Sequence, residues 1–181
     1  MKKIVLFVGL LTLMASNTYA QGFTLKSADI NGQLSQDQVL SGFGCNGKNI
    51  SPELRWQNPP ENTKSYAVTV YDPDAPTGSG WWHWLVFDIP SNIASLKGGA
   101  GNLESNLAPT GSVQSVTDFG KAGYGGACPP SGDMPHRYIF TIYALDVEKL
   151  GLDAKSSPAM VGFYLNQHAI AKASLIAYYS R

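Results

Sequence analysis

The chain is short of charge. Of its 181 residues only 14% are Asp, Glu, Lys or Arg, where soluble domains usually carry about 25%. Beyond Lys2 and Lys3 no two Lys or Arg residues are adjacent. That excludes a basic stripe for nucleic acid and a polybasic patch for a membrane surface. No G-x-S-x-G segment is present, so the sharp turn that exposes a hydrolase serine is missing, and Ser131 has no such setting. No H-x-x-x-H spacing occurs, which argues against metal ligands on one helix face. There is no internal repeat and no low-complexity linker, and past residue 20 no apolar run is long enough to span a bilayer.

Against this background the N-terminus stands out. Lys2 and Lys3 precede an apolar stretch over residues 4–15, and Thr18 and Ala20 follow at the spacing of a cleavage site. The pattern predicts a secretory signal over residues 1–20, cut before Gln21, and one domain over residues 21–181. The expected location is periplasmic or secreted. In an oxidising compartment the two cysteines, Cys45 and Cys128, form a disulfide by default, and two free thiols are the alternative. Removing Lys2 and Lys3 leaves acidic residues in slight excess.

Gly, Pro and aromatic residues are plentiful, which favours a β-rich, turn-rich domain over a helical bundle. Residues 65–71, 83–89 and 136–145 alternate β-branched and aromatic side chains and predict three strong strands, and residues 22–31 predict a first, looser one. Residues 32–52 read as a long polar connection that ends by placing Trp56 under a sheet. Residues 91–123 read as a long surface excursion. Residues 158–172 have helical spacing, with Pro158 in the first turn and Ser156 or Ser157 as cap. His168 lies in that pattern and is read as structural. Residues 173–179 extend the helix or form a closing strand, and the strand is favoured.

The chemistry-bearing residues collect at strand ends. Asp72 closes one strand before Pro73, His83 opens the next, and His136 opens the third after a Pro-rich loop. Two imidazoles at strand ends can donate to one small anion, more strongly when protonated. Asp72 can accept from one ring and fix its tautomer. Tyr138 lies two residues beyond His136, so it shares that face. Glycines 123, 125 and 126 permit close backbone approach and spare amides, while Pro76, Pro129 and Pro130 stiffen a rim and Trp82 and Trp84 supply walls. A strand-end histidine is more often a structural residue, and Asp-Pro is more often a turn.

Asp72-Pro73-Asp74-Ala75-Pro76 followed by His83, and the Gly-rich loop through Pro129-Pro130 into His136-Arg137-Tyr138-Ile139-Phe140, resemble the paired motifs of the phosphatidylethanolamine-binding protein family, in its bacterial Raf-kinase-inhibitor-like branch. Ser51-Pro52-Glu53-Leu54-Arg55-Trp56 is also similar to bacterial members. The resemblance implies a mainly β fold, an antiparallel Greek-key β-sandwich with peripheral helices. It further implies a pocket for phosphate-like or phospho-headgroup anions made by Asp72, Pro76, His83, Pro130, His136 and Tyr138. Ala127 stands where bacterial members usually have proline, which predicts a looser loop. Kinase inhibition by eukaryotic relatives is not carried over to an exported protein.

The expected function is therefore a non-enzymatic binding protein with a preformed anion pocket, without cofactor or metal. A protein partner, reached through residues 91–123 as an inhibitor of a protease or a modulator of a host signalling protein, is the first alternative. A metal-assisted hydrolase using Asp72, His83 and His136 is the second. A homodimer is expected by family analogy alone.

Overall fold

Three long strands carry the architecture of the computed structural model, which describes residues 22–181. They are β5 (Ser65–Asp72), β6 (Trp81–Pro90) and β9 (His136–Leu145), with β5 pairing antiparallel to both of the others. Their β-branched and aromatic content suits a pleated surface, and Asp72-Pro73 stops β5 because proline cannot donate to the ladder. The expected signal segment lies outside the described residues.

With β8 (Val113–Gln114) and β10 (Ala169–Tyr179) these strands form one five-stranded sheet, in the order β10-β9-β5-β6-β8. The pairing of β9 with β5 across a long connection is the Greek-key step. A second, three-stranded sheet has the order β1-β4-β7, from β1 (Thr24–Lys26), β4 (Leu54–Gln57) and β7 (Ser95–Leu96). The hairpin of β2 (Ser41–Gly42) and β3 (Cys45–Asn46) stands apart from both.

The main core lies between the two sheets. Leu25, Leu54, Trp56 and Leu96 meet Val68, Val70, Trp84, Phe140 and Ile142. The helix α1 (Pro158–His168) covers part of the other face of the large sheet by setting Val161 and Leu165 against Ala67, Leu85, Phe87 and Leu145. Cover on both sides explains why β5 is buried along nearly its whole length rather than at alternate residues. The expected mainly β antiparallel sandwich is thus observed. Outside the sheets the described residues hold the helix α1 and one 3-10 turn, Leu103–Ser105.

The remaining differences have local causes. The first strand stops at Lys26 because side chains take over from the ladder: Asp29 accepts from the Glu53 amide at 2.6 Å, and Ser27 donates to the Glu53 carbonyl at 2.6 Å. The helix begins as expected, with Ser157 accepting from Met160 N–H, but ends at His168, whose ring bonds Asp146 at 3.0 Å. From Ala169 the chain becomes β10, because the free edge of β9 offers a continuous ladder from Leu145 to His136. Residues 91–123 are woven into the fold rather than looped over it. Leu96, Ala100 and Ser115 are buried, and Gln114 bonds both the Trp84 indole N–H and the Ala100 carbonyl.

Candidate functional site

Asp72 anchors the site through the turn that follows it. Its Oδ1 accepts from the backbone N–H of Asp74 at 2.8 Å and of Ala75 at 3.1 Å. Its Oδ2 accepts from His136 Nδ1–H at 2.8 Å, with both side chains buried. This pairing places an Nδ1 proton against Asp72 and leaves Nε2 on the other side of the ring. Among the described residues no group of three His, Cys, Asp or Glu side chains is placed to share a metal ion.

His83 reaches the same place by an irregularity of β6. Val70 pairs with Trp84 while Tyr71 pairs with Trp82, so His83 is an extra residue opposite the β5 ladder. Such a bulge re-aims a side chain. Here it sets the His83 ring at 5.1 Å from the Tyr138 ring and lets Nδ1–H donate to the Gly125 carbonyl at 2.8 Å. Burial is the main influence on this imidazole and holds its pKa below the ordinary value, against the Gly125 carbonyl and the Asp72 charge. His83 is therefore a neutral ring near pH 7, with Nε2 left for a ligand.

A pocket of about 220 Å³ opens between these groups. All six residues expected in the site, Asp72, Pro76, His83, Pro130, His136 and Tyr138, line it, together with Pro129. The hydroxyl of Tyr138 and the indole N–H of Trp81 are buried without a hydrogen-bond partner among the described residues. Burial raises the Tyr138 pKa strongly, so the phenol stays protonated. His136 Nε2 faces Asp133 at 3.4 Å at the edge of the site. Arg137 braces the Asp-Pro turn from outside. Its guanidinium and backbone N–H all donate to Asp74, and that contact lowers the Asp74 pKa to about 2.

Several expectations are corrected. Trp82 and Trp84 do not line the pocket. The bulge at His83 interrupts the alternation, so Trp84 lies in the main core while Trp82 packs on Tyr71 at 4.5 Å. The aromatic walls are instead Phe43, Trp81 and Phe119. Phe43 and Phe119 come from segments that read as polar loops, and no periodic signal marks either. The glycine-loop amides are not spare donors: Gly125 N–H donates to the His83 carbonyl and Gly126 N–H to Asn49. Gly123 lies outside this pocket, in an adjoining depression. The loop is not loosened at Ala127. Its N–H donates to the Gln38 carbonyl at 3.1 Å, a bond that proline cannot make. Cys45 and Cys128 are joined by a disulfide.

The sequence profile of the family described as phosphatidylethanolamine-binding protein matches residues 28–180. The protein YbcL of Escherichia coli (strain K12) is 50% identical over 171 residues, which cover 93% of each chain. YbhB of the same organism is 51% identical over 150 residues, 82% of this chain and 92% of its own. A crystal structure of E. coli YbcL, described as a new member of the mammalian PEBP family, superposes with a TM-score of 0.86 at 52% identity, covering 88% of this chain and 98% of that one.

Proposed function

This chain belongs to the phosphatidylethanolamine-binding protein family, and we propose that it is a non-enzymatic binding protein whose pocket takes a phosphate-like or phospho-headgroup anion. The observation that carries this reading is the orphaned hydroxyl of Tyr138. A buried polar group without a partner costs roughly 1–3 kcal/mol, and this residue lines the same pocket as His83 and His136. An anion in the pocket would accept from the phenol and from both imidazoles once protonated, and the Trp81 N–H adds a fourth donor. Among the lining residues the one aliphatic hydroxyl, on Thr77, donates to the Gly80 carbonyl and Cys128 is held in the disulfide, which supports binding without turnover.

Export to the periplasm or beyond is part of the proposal. It rests on the N-terminal signal pattern and agrees with the disulfide. Binding to a protein partner through residues 91–123 has less support, since much of that segment is committed to the fold.

The test is an NMR titration of the imidazole signals with inorganic phosphate and with phosphoethanolamine, on the wild type and on His136→Ala. Saturable shifts of His83 and His136 together, lost in the variant, are expected. Silent imidazoles at millimolar ligand would overturn the reading.

A further inference from the structure

Besides the strand ends, the pocket is lined by two segments outside the five-stranded and three-stranded sheets. One is the tip of the β2–β3 hairpin, which supplies Phe43, and the other is Cys128-Pro129-Pro130. Each is weak on its own. The hairpin ladder consists of Ser41 with Asn46 and Gly42 with Cys45. At its tip Phe43 sits at φ 52°, a left-handed conformation that a bulky residue keeps only when its surroundings hold it. In the other segment Pro129 and Pro130 have no N–H, so the wall cannot be tied by its own amides.

Beside the backbone bonds of Ala127 to Gln38 and Leu40, two ties join the hairpin tip to the Pro-rich segment. The disulfide links Cys45 to Cys128. Arg181 bridges them again: Nε donates to the Pro129 carbonyl at 2.7 Å and Nη1 to the Gly44 carbonyl at 2.8 Å, while the Gly132 N–H donates to the Arg181 main-chain oxygen at 3.0 Å. Of the two cysteines, Cys45 is buried and Cys128 is half-buried and lines the pocket.

We propose that the Cys45–Cys128 disulfide and Arg181 are positioning elements for the anion pocket, and that reduction of the disulfide by a dithiol lowers its affinity. The inference rests on the anion reading above. A thiolate of the dithiol attacks Cys128 Sγ, forms a mixed disulfide and expels Cys45 as a thiolate, which takes up a proton. The second thiol then attacks the reductant's own sulfur in that mixed disulfide and releases Cys128, which is protonated in turn. Two electrons and two protons pass to the protein, and the dithiol ends as its disulfide. The wall is then joined to the hairpin by Arg181 and by the Val39–Ala127 bridge just before Cys128, it occupies its binding position for a smaller fraction of time, and apparent affinity falls by that fraction. Coupling is reciprocal, so an anion in the pocket opposes reduction by the same factor.

The experiment is a phosphate titration of the full chain by calorimetry at pH 6, oxidised and after reduction with dithiothreitol, on wild type, Arg181→Ala and Arg181→Lys. A loss of about tenfold in affinity on reduction is expected. Phosphate at saturation should then make the disulfide harder to reduce by the same tenfold in the equilibrium constant, about 30 mV. Arg181→Ala should weaken binding more in the reduced than in the oxidised protein, because the ties back each other up, and Arg181→Lys should fall between, since one ammonium cannot span both carbonyls as the guanidinium fork does. Equal phosphate affinity in the two redox states overturns the proposal and leaves the anion reading standing. No phosphate binding by the oxidised wild type overturns both. Collapse of amide dispersion in β5, β6 and β9 on reduction assigns the disulfide to the fold and overturns the proposal as well.

Discussion

At the residue scale, Tyr138 and His83 separate binding from stability. Tyr138→Phe removes a hydroxyl that has no protein partner and leaves the ring in the core, where Tyr138 is 1% exposed. Folding stability should stay level or rise by about 1 kcal/mol, while phosphate affinity falls several-fold. Urea unfolding alongside a phosphate titration checks both, and a destabilised variant with unchanged affinity would assign the hydroxyl to the core alone. His83 has a folded pKa below its unfolded value, which is near 6.5. Its contribution to stability is therefore complete above about pH 6.5 and is lost as pH falls through the lower folded value. An anion that prefers the imidazolium works in the opposite sense and gains affinity as pH falls over that window. Phosphate should raise the melting temperature more at pH 5 than at pH 7, and an equal rise at both would count against His83 as a ligand group.

At the element scale, the loop over residues 123–130 is set by how closely its backbone approaches its neighbours. A Cβ on Gly126 would lie 2.4 Å from the Gln38 carbonyl oxygen and 2.5 Å from the Leu40 nitrogen, both backbone atoms that cannot swing away. These residues make the short parallel contact through which Ala127 is held. Gly126→Ala should cost about 3 kcal/mol, at the upper end for forced overpacking, and should pull the Gly125 carbonyl away from His83. Chemical denaturation reads the first effect and the His83 ring signals the second. A variant with wild-type stability would show that the loop shifts without cost. The bulge at His83 is the second device of this scale. Without the extra residue the strand's alternation would set His83 and Trp84 on opposite faces, and only one of them would meet Tyr138.

At the scale of the whole molecule, the disulfide spans a sequence separation of 83 residues and joins the Pro-rich wall to β3. By the chain-entropy argument its loss destabilises the protein by about 4 kcal/mol, chiefly by freeing the unfolded state. A guanidinium midpoint measured with and without reductant should shift accordingly, and coincident curves would show that the cross-link adds nothing to stability. The large sheet organises the rest. Its inner face meets the small sheet in the main core, α1 covers part of its outer face, and the pocket lies at the strand ends where the ladder stops and polar side chains need no place in either layer.

By itself the sequence determined what is local or periodic. Alternation marked β5, β6 and β9, and the bounds of β9 agree with it from His136 to Leu145. Ser157 and Pro158 marked the start of α1. The paired Asp-Pro and His-Arg-Tyr motifs marked six residues that line one pocket, because a motif with strict order carries its geometry in its turns. What only tertiary structure decided is non-local. The choice between helix and strand beyond His168 turned on a free sheet edge more than twenty residues away. The aromatic walls turned on Phe43 and Phe119, set in loops with no period of their own. Trp84 was drawn from pocket to core by one extra residue in β6, and the loop amides were claimed by Gln38 and Asn49. In each case a backbone group or a ring took the partner that packing brought within reach, and a linear pattern does not contain that distance.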